Sequence, residues 1–279
     1  MFGVAIPILL FRTLGTFDWP PISPLPIWAA YFGGAAVTWA MAMLLARRGF
    51  RCGAREAVIA GISSGYPNIV LIGVPLFATA LGDEGLVVGF LLISIHLPVM
   101  MVASVVLIAR AERRDGVAAG SPALAAELAR MGARLVRNPL IVAIAAGLAF
   151  RLTGLELSGI PRQVIDEMSA VAIPLALFSL GMGLWKYGLG GSLAPAAALS
   201  VLKLVAMPAL VYLFATRLAG LPLVATQVVT LAAALPTGIN AYLIANRFET
   251  GHGLASNAIT LTTAVSILTL TLWLGFLGL

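Results

Sequence analysis

Two stretches, Tyr66–Leu76 (YPNIVLIGVPL) and Leu235–Arg247 (LPTGINAYLIANR), place Pro, Gly and Asn in the middle of long apolar segments. Proline lacks a backbone donor and clashes with the preceding helical turn, so neither segment is expected to form one uninterrupted helix. Inside a bilayer, unwound backbone is stable only where protein or a water-filled cavity satisfies its N–H and C=O groups. Two such interruptions in comparable parts of the two halves of a chain are typical of a transporter's binding site.

The composition is that of a helical membrane protein. Of 279 residues, 61% are hydrophobic and 10% are charged, whereas charged residues form about a quarter of an ordinary globular domain. The mean hydropathy is +1.04, and apolar runs of membrane-spanning length recur along the chain. The alternating polarity of a membrane β-barrel, in segments of roughly ten residues, is absent from the sequence.

Several other classes of protein are disfavoured by the same composition. The net charge of +6 resides mostly in short loops between spans, so nucleic-acid binding is not predicted. Cys52 is the single cysteine, and the two histidines, His96 and His252, are far apart in the sequence, so neither a metal site nor a cofactor is predicted. A nucleophile with a neighbouring base is not recognisable, and we expect no enzymatic activity.

Nine spans are predicted, four before a hydrophilic central loop and five after it. The resulting division is a first repeat at 1–110, a cytoplasmic loop at 111–137 and a second repeat at 138–279. The spans are Phe2–Gly15, Ile27–Leu45, Glu56–Leu81, Leu86–Ile108, Asn138–Phe150, Ala170–Trp185, Leu193–Ala215, Pro222–Phe248 and Leu254–Leu279.

The orientation follows from the distribution of basic residues. The side that carries the central loop holds twelve of them, and the opposite side holds three. The twelve are Arg47, Arg48, Arg51, Arg55, Arg110, Arg113, Arg114, Arg130, Arg134, Arg137, Lys186 and Arg247, and the three are Arg151, Arg162 and Arg217. Because cytoplasmic loops carry the excess of Lys and Arg, the central loop is predicted to be cytoplasmic.

The two halves resemble each other. Each interrupted span is the penultimate one of its half, and Pro67 and Pro236 stand at similar distances ahead of the turns at Gly82–Gly85 and Gly251–Gly253. Halves that run in opposite senses across a membrane should contain equal numbers of spans. We therefore expect one further apolar span of about 20 residues ahead of Met1.

The chain resembles the auxin efflux carriers and their bacterial relatives, which include malonate transporters. Pro67–Leu76 is similar to the family pattern of Asn, four residues and Gly-x-Pro-Leu, and Leu235–Phe248 is similar to the family's second crossover. The Arg137-Asn138-Pro139 sequence, FSLGMGL at Phe178–Leu184, and Lys203 five residues before Pro208 are supporting matches. Ala5–Phe11 resembles the family's second helix, so the resemblance implies that the family's first helix is missing from the sequence as given.

The resemblance implies an all-α polytopic membrane fold of inverted five-helix repeats, with two broken helices that cross as in bile-acid symporters and sodium–proton antiporters. It also implies transport of small organic anions, here across the cytoplasmic (inner) membrane of a bacterium. A homodimer and coupling to sodium or protons are left open.

Candidate site residues lie at the two interruptions. Where a helix restarts, its first N–H groups lack partners and carry partial positive charge, which suits a carboxylate. Asn68 and Asn240 would add amide donors, and Thr237 a hydroxyl. The first break could lie at Pro67 or at Gly73–Pro75. The predicted substrate-binding set is Pro67, Asn68, Gly73, Pro75, Pro236, Thr237, Gly238, Asn240 and Lys203. The alternative is that these Pro and Asn residues only kink helices and hold them together.

Two ionisable side chains lie at membrane depth. A charge there costs at least about 2.5 kcal/mol, so Lys203 is either an attractor of anions or a packing cation whose stem runs along the helix. His96, just before Pro98, is interpreted as an interior histidine with satisfied hydrogen bonds, with proton coupling as the less favoured alternative.

The sequence thus predicts a secondary transporter or facilitator of mono- and dicarboxylates that works by alternating access. The alternative is a membrane sensor that binds an anion without moving it.

Overall fold

The computed structural model describes residues 3–17, 23–116, 124–176, 178 and 193–279. These residues are almost entirely helical. The helices are α1 (Ala5–Thr16), α2 (Pro24–Arg48), α3 (Ala54–Gly65), α4 (Val74–Arg114), α5 (Leu124–Val136), α6 (Pro139–Leu152), α7 (Gly159–Ala170), α8 (Leu193–Leu218), α9 (Leu223–Ala234), α10 (Asn240–Arg247) and α11 (His252–Phe276).

Four helical segments are long and apolar enough to cross a membrane, in agreement with the predicted polytopic membrane protein. They are Pro24–Arg48, Ile69–Arg114, Leu193–Leu218 and His252–Phe276. Helices α1, α6 and α9 are apolar but shorter. The 46-residue segment bends at Gly82, whose φ of 62° lies in the left-handed region that favours glycine. Its first limb ends the predicted third span, and its second limb corresponds to the predicted fourth.

Two helices lie where the sequence analysis placed no helix. Helix α7 is not predicted because its sequence, GIPRQVIDEMSA, is too polar to register as a span; Asp166 of α7 forms an ion pair with Arg12 of α1 at 2.5 Å. Helix α5 occupies part of the central loop. Three predicted features lie wholly or mostly outside the described residues. They are the part of the predicted sixth span after Ala176, most of the FSLGMGL match, and Lys186.

The outer surface is apolar, as expected for a chain in contact with lipid. On α11, for example, Ile267, Leu268 and Leu272 are each more than 70% exposed. Such a continuous surface would be unfavourable in water but is suited to hydrocarbon. The interior instead contains many fully buried alanines, including Ala57, Ala60, Ala225, Ala232 and Ala233, and small residues let membrane helices approach closely.

A carboxylate joins the end of α4 to the beginning of α3. The two Asp115 carboxylate oxygens accept hydrogen bonds from the N–H groups of Ala54 and Arg55, each at 2.9 Å. Partial burial acts to raise the pKa of Asp115, but these hydrogen bonds and the Arg55 guanidinium outweigh it, so the pKa lies below its usual value. The end of α4 thereby holds the start of the helix that leads to the first break.

Candidate functional site

The two interruptions cross each other and pair as extended backbone. Pro67 lies opposite Thr237 in an antiparallel bridge. The Asn68 N–H donates to the Pro236 carbonyl oxygen at 2.9 Å, and the Gly238 N–H donates to the Tyr66 carbonyl oxygen at 2.8 Å. Each break therefore satisfies backbone groups of the other, as membrane depth requires.

The first break lies at Pro67 and not at Gly73–Pro75. Tyr66 is extended after the end of α3, and the helix resumes with a π-helical turn at Ile69–Gly73. This wider turn precedes Pro75, where ordinary helical bonding would be disturbed. A second π-helical turn, Leu202–Ala206, likewise precedes Pro208. In the bridge Pro67 lies opposite Thr237 and not opposite Pro236.

Close backbone approach at the crossing explains one of the predicted glycines. A Cβ on Gly238 would lie 3.0 Å from the Pro67 carbonyl oxygen and 3.2 Å from its carbonyl carbon. A Cβ on Gly73 would lie 2.9 Å from a methyl group of Leu235. Gly73 and Pro75 are buried within helical backbone, so they shape the packing of the half-helix rather than the break.

Thr237 fastens the crossing. Its hydroxyl donates to the Ser63 carbonyl oxygen at 2.6 Å, and its N–H donates to Thr262 Oγ1 at 3.0 Å. The residue is 1% exposed. Its polar groups are therefore engaged in joining α3, α11 and the second break, whereas the sequence analysis had considered its hydroxyl as a ligand for the anion.

A cavity of about 390 Å³ opens beside the crossing. Its walls come from both breaks, the half-helices that follow them, the second limb of α4 and the first turns of α6. Of the predicted site residues, the cavity is lined by Pro67, Asn68, Gly238 and Asn240. None of the described residues that line it is Asp, Glu, Lys or Arg.

Three asparagines contribute to the cavity wall. Asn68 and Asn240 are both half-buried, one after each break. The Asn68 side-chain oxygen faces the Leu71 N–H at 3.4 Å, which directs this residue to the start of its half-helix. Asn138, which the sequence analysis did not select, caps α6 by accepting a hydrogen bond from the Leu140 N–H at 2.9 Å. Its position before Pro139 is a recognisable helix-start signal, but nothing in that signal indicates a cavity.

A cluster of aromatic side chains and a histidine forms another part of the site. His96 lines the cavity and is 5% exposed. Its Nε2 atom lies 3.0 Å from the Tyr31 hydroxyl, and its ring centroid is 5.0 Å from that of Tyr66. The Tyr66 hydroxyl is buried without a hydrogen-bond partner among the described residues, and it lies near Asn240. The predicted interior histidine is thus satisfied by Tyr31 and also faces the cavity.

Lys203 belongs to α8. Its side chain contacts the last turn of α9 and does not line the cavity. The side chain is fully buried, and its Nζ donates to the Ala233 carbonyl oxygen at 2.5 Å. Ala233 belongs to the last turn before the second break, where carbonyl groups give a helix a partial negative charge. This hydrogen bond joins Lys203 to the last turn of the helix that precedes the second break.

Comparison with known proteins gives the geometry its context. The chain is 26% identical over 269 residues, 96% of its length and 82% of the relative's, to a protein of Rhizobium meliloti (strain 1021) named "Putative malonate transporter". It is 28% identical over 282 residues, 97% of its length and 85% of the relative's, to an "Uncharacterized transporter" of Methanothermobacter thermautotrophicus (strain Delta H). A family model described as "Membrane transport protein" matches residues 1–274. Because that match spans nearly the whole chain, the protein belongs to this family of membrane transporters, the family of the auxin efflux carriers, and not to a family of enzymes.

Proposed function

We propose that the protein is a secondary transporter or facilitator of small organic anions that binds them in the cavity at the crossed helices. The observation that carries the proposal is that two helix starts share one uncharged cavity. Each helix N-terminus contributes about half of an elementary positive charge, so two of them offer roughly one charge to a carboxylate. The amides of Asn68 and Asn240 stand beside these helix starts and can donate further hydrogen bonds.

The position of the cavity supports an alternating-access mechanism. The cavity reaches from the breaks to the first turn of α6, which directly follows the central loop. With the predicted orientation, this arrangement is an inward-facing state. Outside the cavity lining, the crossing is held by the Thr237–Thr262 hydrogen bond and by the contact of Lys203 with α9. Transport would then require the two halves to rock about the crossing.

The order of elements supports the proposed pair of inverted repeats. Both halves contain a helix, a break, a half-helix, a turn with a glycine of positive φ and a long helix. The glycines are Gly82 in the first half and Gly251 in the second. On this proposal, the two Asn-bearing breaks are equivalent parts of repeats that cross the membrane in opposite senses.

Carboxylates are the substrate class that the site favours. Helix N-termini and amide donors recognise carboxylate oxygens without a fixed cation. A cavity of about 390 Å³ lies at the small end of the usual range for ligand sites, roughly 300–1,000 Å³. The name of the Rhizobium meliloti relative makes malonate a suitable probe.

Uptake by purified protein in liposomes tests the proposal. A panel of radiolabelled mono- and dicarboxylates, malonate included, should enter protein-containing vesicles faster than protein-free vesicles, and sodium and proton gradients imposed separately would identify coupling. Saturable binding of a carboxylate without flux would favour the sensor alternative. Neither binding nor flux across the panel would contradict an organic-anion site.

A further inference from the structure

We propose that His96 is the proton-binding residue of this site, taking up one proton when a dicarboxylate enters the cavity and releasing it with the anion. The inference rests on the proposed transport of organic anions and extends it to a coupling residue. No covalent bond other than N–H is made or broken, because a solvent proton adds to the free imidazole nitrogen and leaves from it.

His96 is part of the cavity wall, and its neighbours fix the orientation of its ring. It lies on the second limb of α4, two residues before Pro98, and borders the same cavity as Asn68 and Asn240. The Tyr31 hydroxyl, 3.0 Å from Nε2, fixes the ring orientation and can exchange the roles of donor and acceptor with it. Phe32 stacks on the ring, and Tyr66 meets it edge to face.

The balance between the positive charge of the helix starts and the negative charge of a dicarboxylate is the reason for assigning a proton to His96. The two helix starts at the breaks and the start of α6, which also borders the cavity, supply roughly one and a half positive charges, so a dicarboxylate is left with about half of an uncompensated negative charge. None of the described lining residues is Lys or Arg. Histidine is the side chain whose charge changes near neutral pH, and His96 is the described lining residue of that type. One proton on its ring would complete the neutralisation.

The groups that face His96 make proton and anion binding interdependent. They are Tyr31 from α2, Tyr66 from the first break and, within electrostatic range, Lys203 from α8. The two hydroxyls are uncharged, and the Lys203 ammonium opposes a second positive charge in an empty cavity. A carboxylate in the cavity, beside His96, supplies a compensating negative charge. By linkage, the anion then favours the proton and the proton favours the anion equally.

Proton flux measured together with anion flux tests the inference. Wild-type protein is reconstituted in liposomes that contain a pH-sensitive dye, and the voltage is held at zero with potassium and valinomycin. An inward malonate gradient should acidify the interior, with about one proton for each malonate, after subtraction of the signal from protein-free liposomes. Malonate uptake without acidification would overturn the role of His96 and leave the proposed function intact. Absence of carboxylate flux would contradict both.

Two histidine variants localise the proton. In His96→Gln, acidification coupled to malonate should disappear. The matched control, His252→Gln, changes the histidine at the start of α11, outside the cavity lining, and should keep the wild-type proton-to-malonate ratio. An unchanged ratio in His96→Gln would overturn the proposal. If His96→Gln does not fold, His96→Asn takes its place, and wild-type uptake without acidification would still overturn the proposal.

Discussion

At the scale of single residues, Asn68 gives the most direct test of the proposed anion site. Asn68→Ala removes one hydrogen bond to a charged group, which contributes about 1.5–3 kcal/mol, so malonate binding should weaken by roughly ten- to a hundredfold. The crossing should persist, because its hydrogen bond uses the Asn68 backbone N–H. Equilibrium binding of labelled malonate measures the effect. Asn246→Ala, at an exposed asparagine near the end of α10, is the control and should bind like wild type.

Lys203 gives a prediction of the opposite kind. Since its Nζ is bound to the Ala233 carbonyl oxygen and the residue does not line the cavity, Lys203→Gln should leave the salt dependence of malonate affinity unchanged. Affinities at low and high ionic strength measure this. A loss of affinity at low salt that vanishes at high salt would instead identify Lys203 as an attractor of anions, because screening weakens such attraction.

Sequence reasoning predicted which residues lie near the breaks better than it predicted where their side chains point. Asn68 directly follows Pro67 and Asn240 stands four residues after Pro236, and an amide so close to a proline is conspicuous in an apolar segment. Thr237 stands in the same stretch but turns its hydroxyl towards Ser63, and Lys203 reaches a carbonyl thirty positions away in the sequence. Asn138 enters the cavity only because α6 begins beside the breaks. These directions depend on tertiary packing, which the local sequence does not encode.

At the scale of elements, the crossing depends on a close approach between the two breaks. Gly238→Ala places a Cβ 3.0 Å from the Pro67 carbonyl oxygen, tighter than ordinary van der Waals contact. We expect overpacking of this kind to cost about 1–3 kcal/mol of stability and to abolish most malonate transport. Thermal unfolding in detergent and uptake in liposomes measure the two effects. Gly275→Ala, with open space around its Cβ, is the control, and equal behaviour of the two variants would contradict the crossing.

The Asp115 contact gives a second prediction at this scale. Asp115→Ala removes the acceptor for two N–H groups at the start of α3, and a lost helix cap costs about 0.5–2 kcal/mol. The thermal midpoint at pH 7 should therefore fall, whereas Asp83→Ala, at an exposed position, should not change it. Because the pKa of Asp115 is lowered in the folded state, its stabilisation is present above the unfolded pKa of about 3.9 and is lost as the pH falls through the folded value.

The elements themselves were predictable to different extents. Prolines at 67 and 236 identified both breaks because a membrane helix cannot pass them undisturbed. The exact position of the first break could not be predicted from its own sequence. It depends on the pairing with the second break, and Pro75 is accommodated by the π-helical turn at Ile69–Gly73. Helix α7 escaped prediction because its stability comes from contacts such as Arg12–Asp166 rather than from a long apolar run.

At the scale of the whole molecule, the charge distribution predicts which side faces the cytoplasm. In a Cys52→Ser background, Ala125→Cys in α5, within the predicted cytoplasmic loop at 111–137, should react in intact cells only with membrane-permeant thiol reagents. Leu155→Cys, exposed between α6 and α7, should react with impermeant reagents as well. The reverse labelling pattern would show that the orientation is opposite to the predicted one, and the cavity would then face outward.

Protection of a cavity cysteine by the anion tests the central claim most directly. Val70→Cys in the Cys52→Ser background places a thiol on the cavity wall beside the first helix start, and Ala125→Cys provides an exposed thiol outside it. The rate of alkylation is measured on purified protein with and without saturating malonate. The account predicts that malonate slows alkylation of Val70→Cys and leaves Ala125→Cys unchanged. An unchanged rate at Val70→Cys, in a variant that still transports malonate, would place the anion elsewhere and contradict the crossed-helix site.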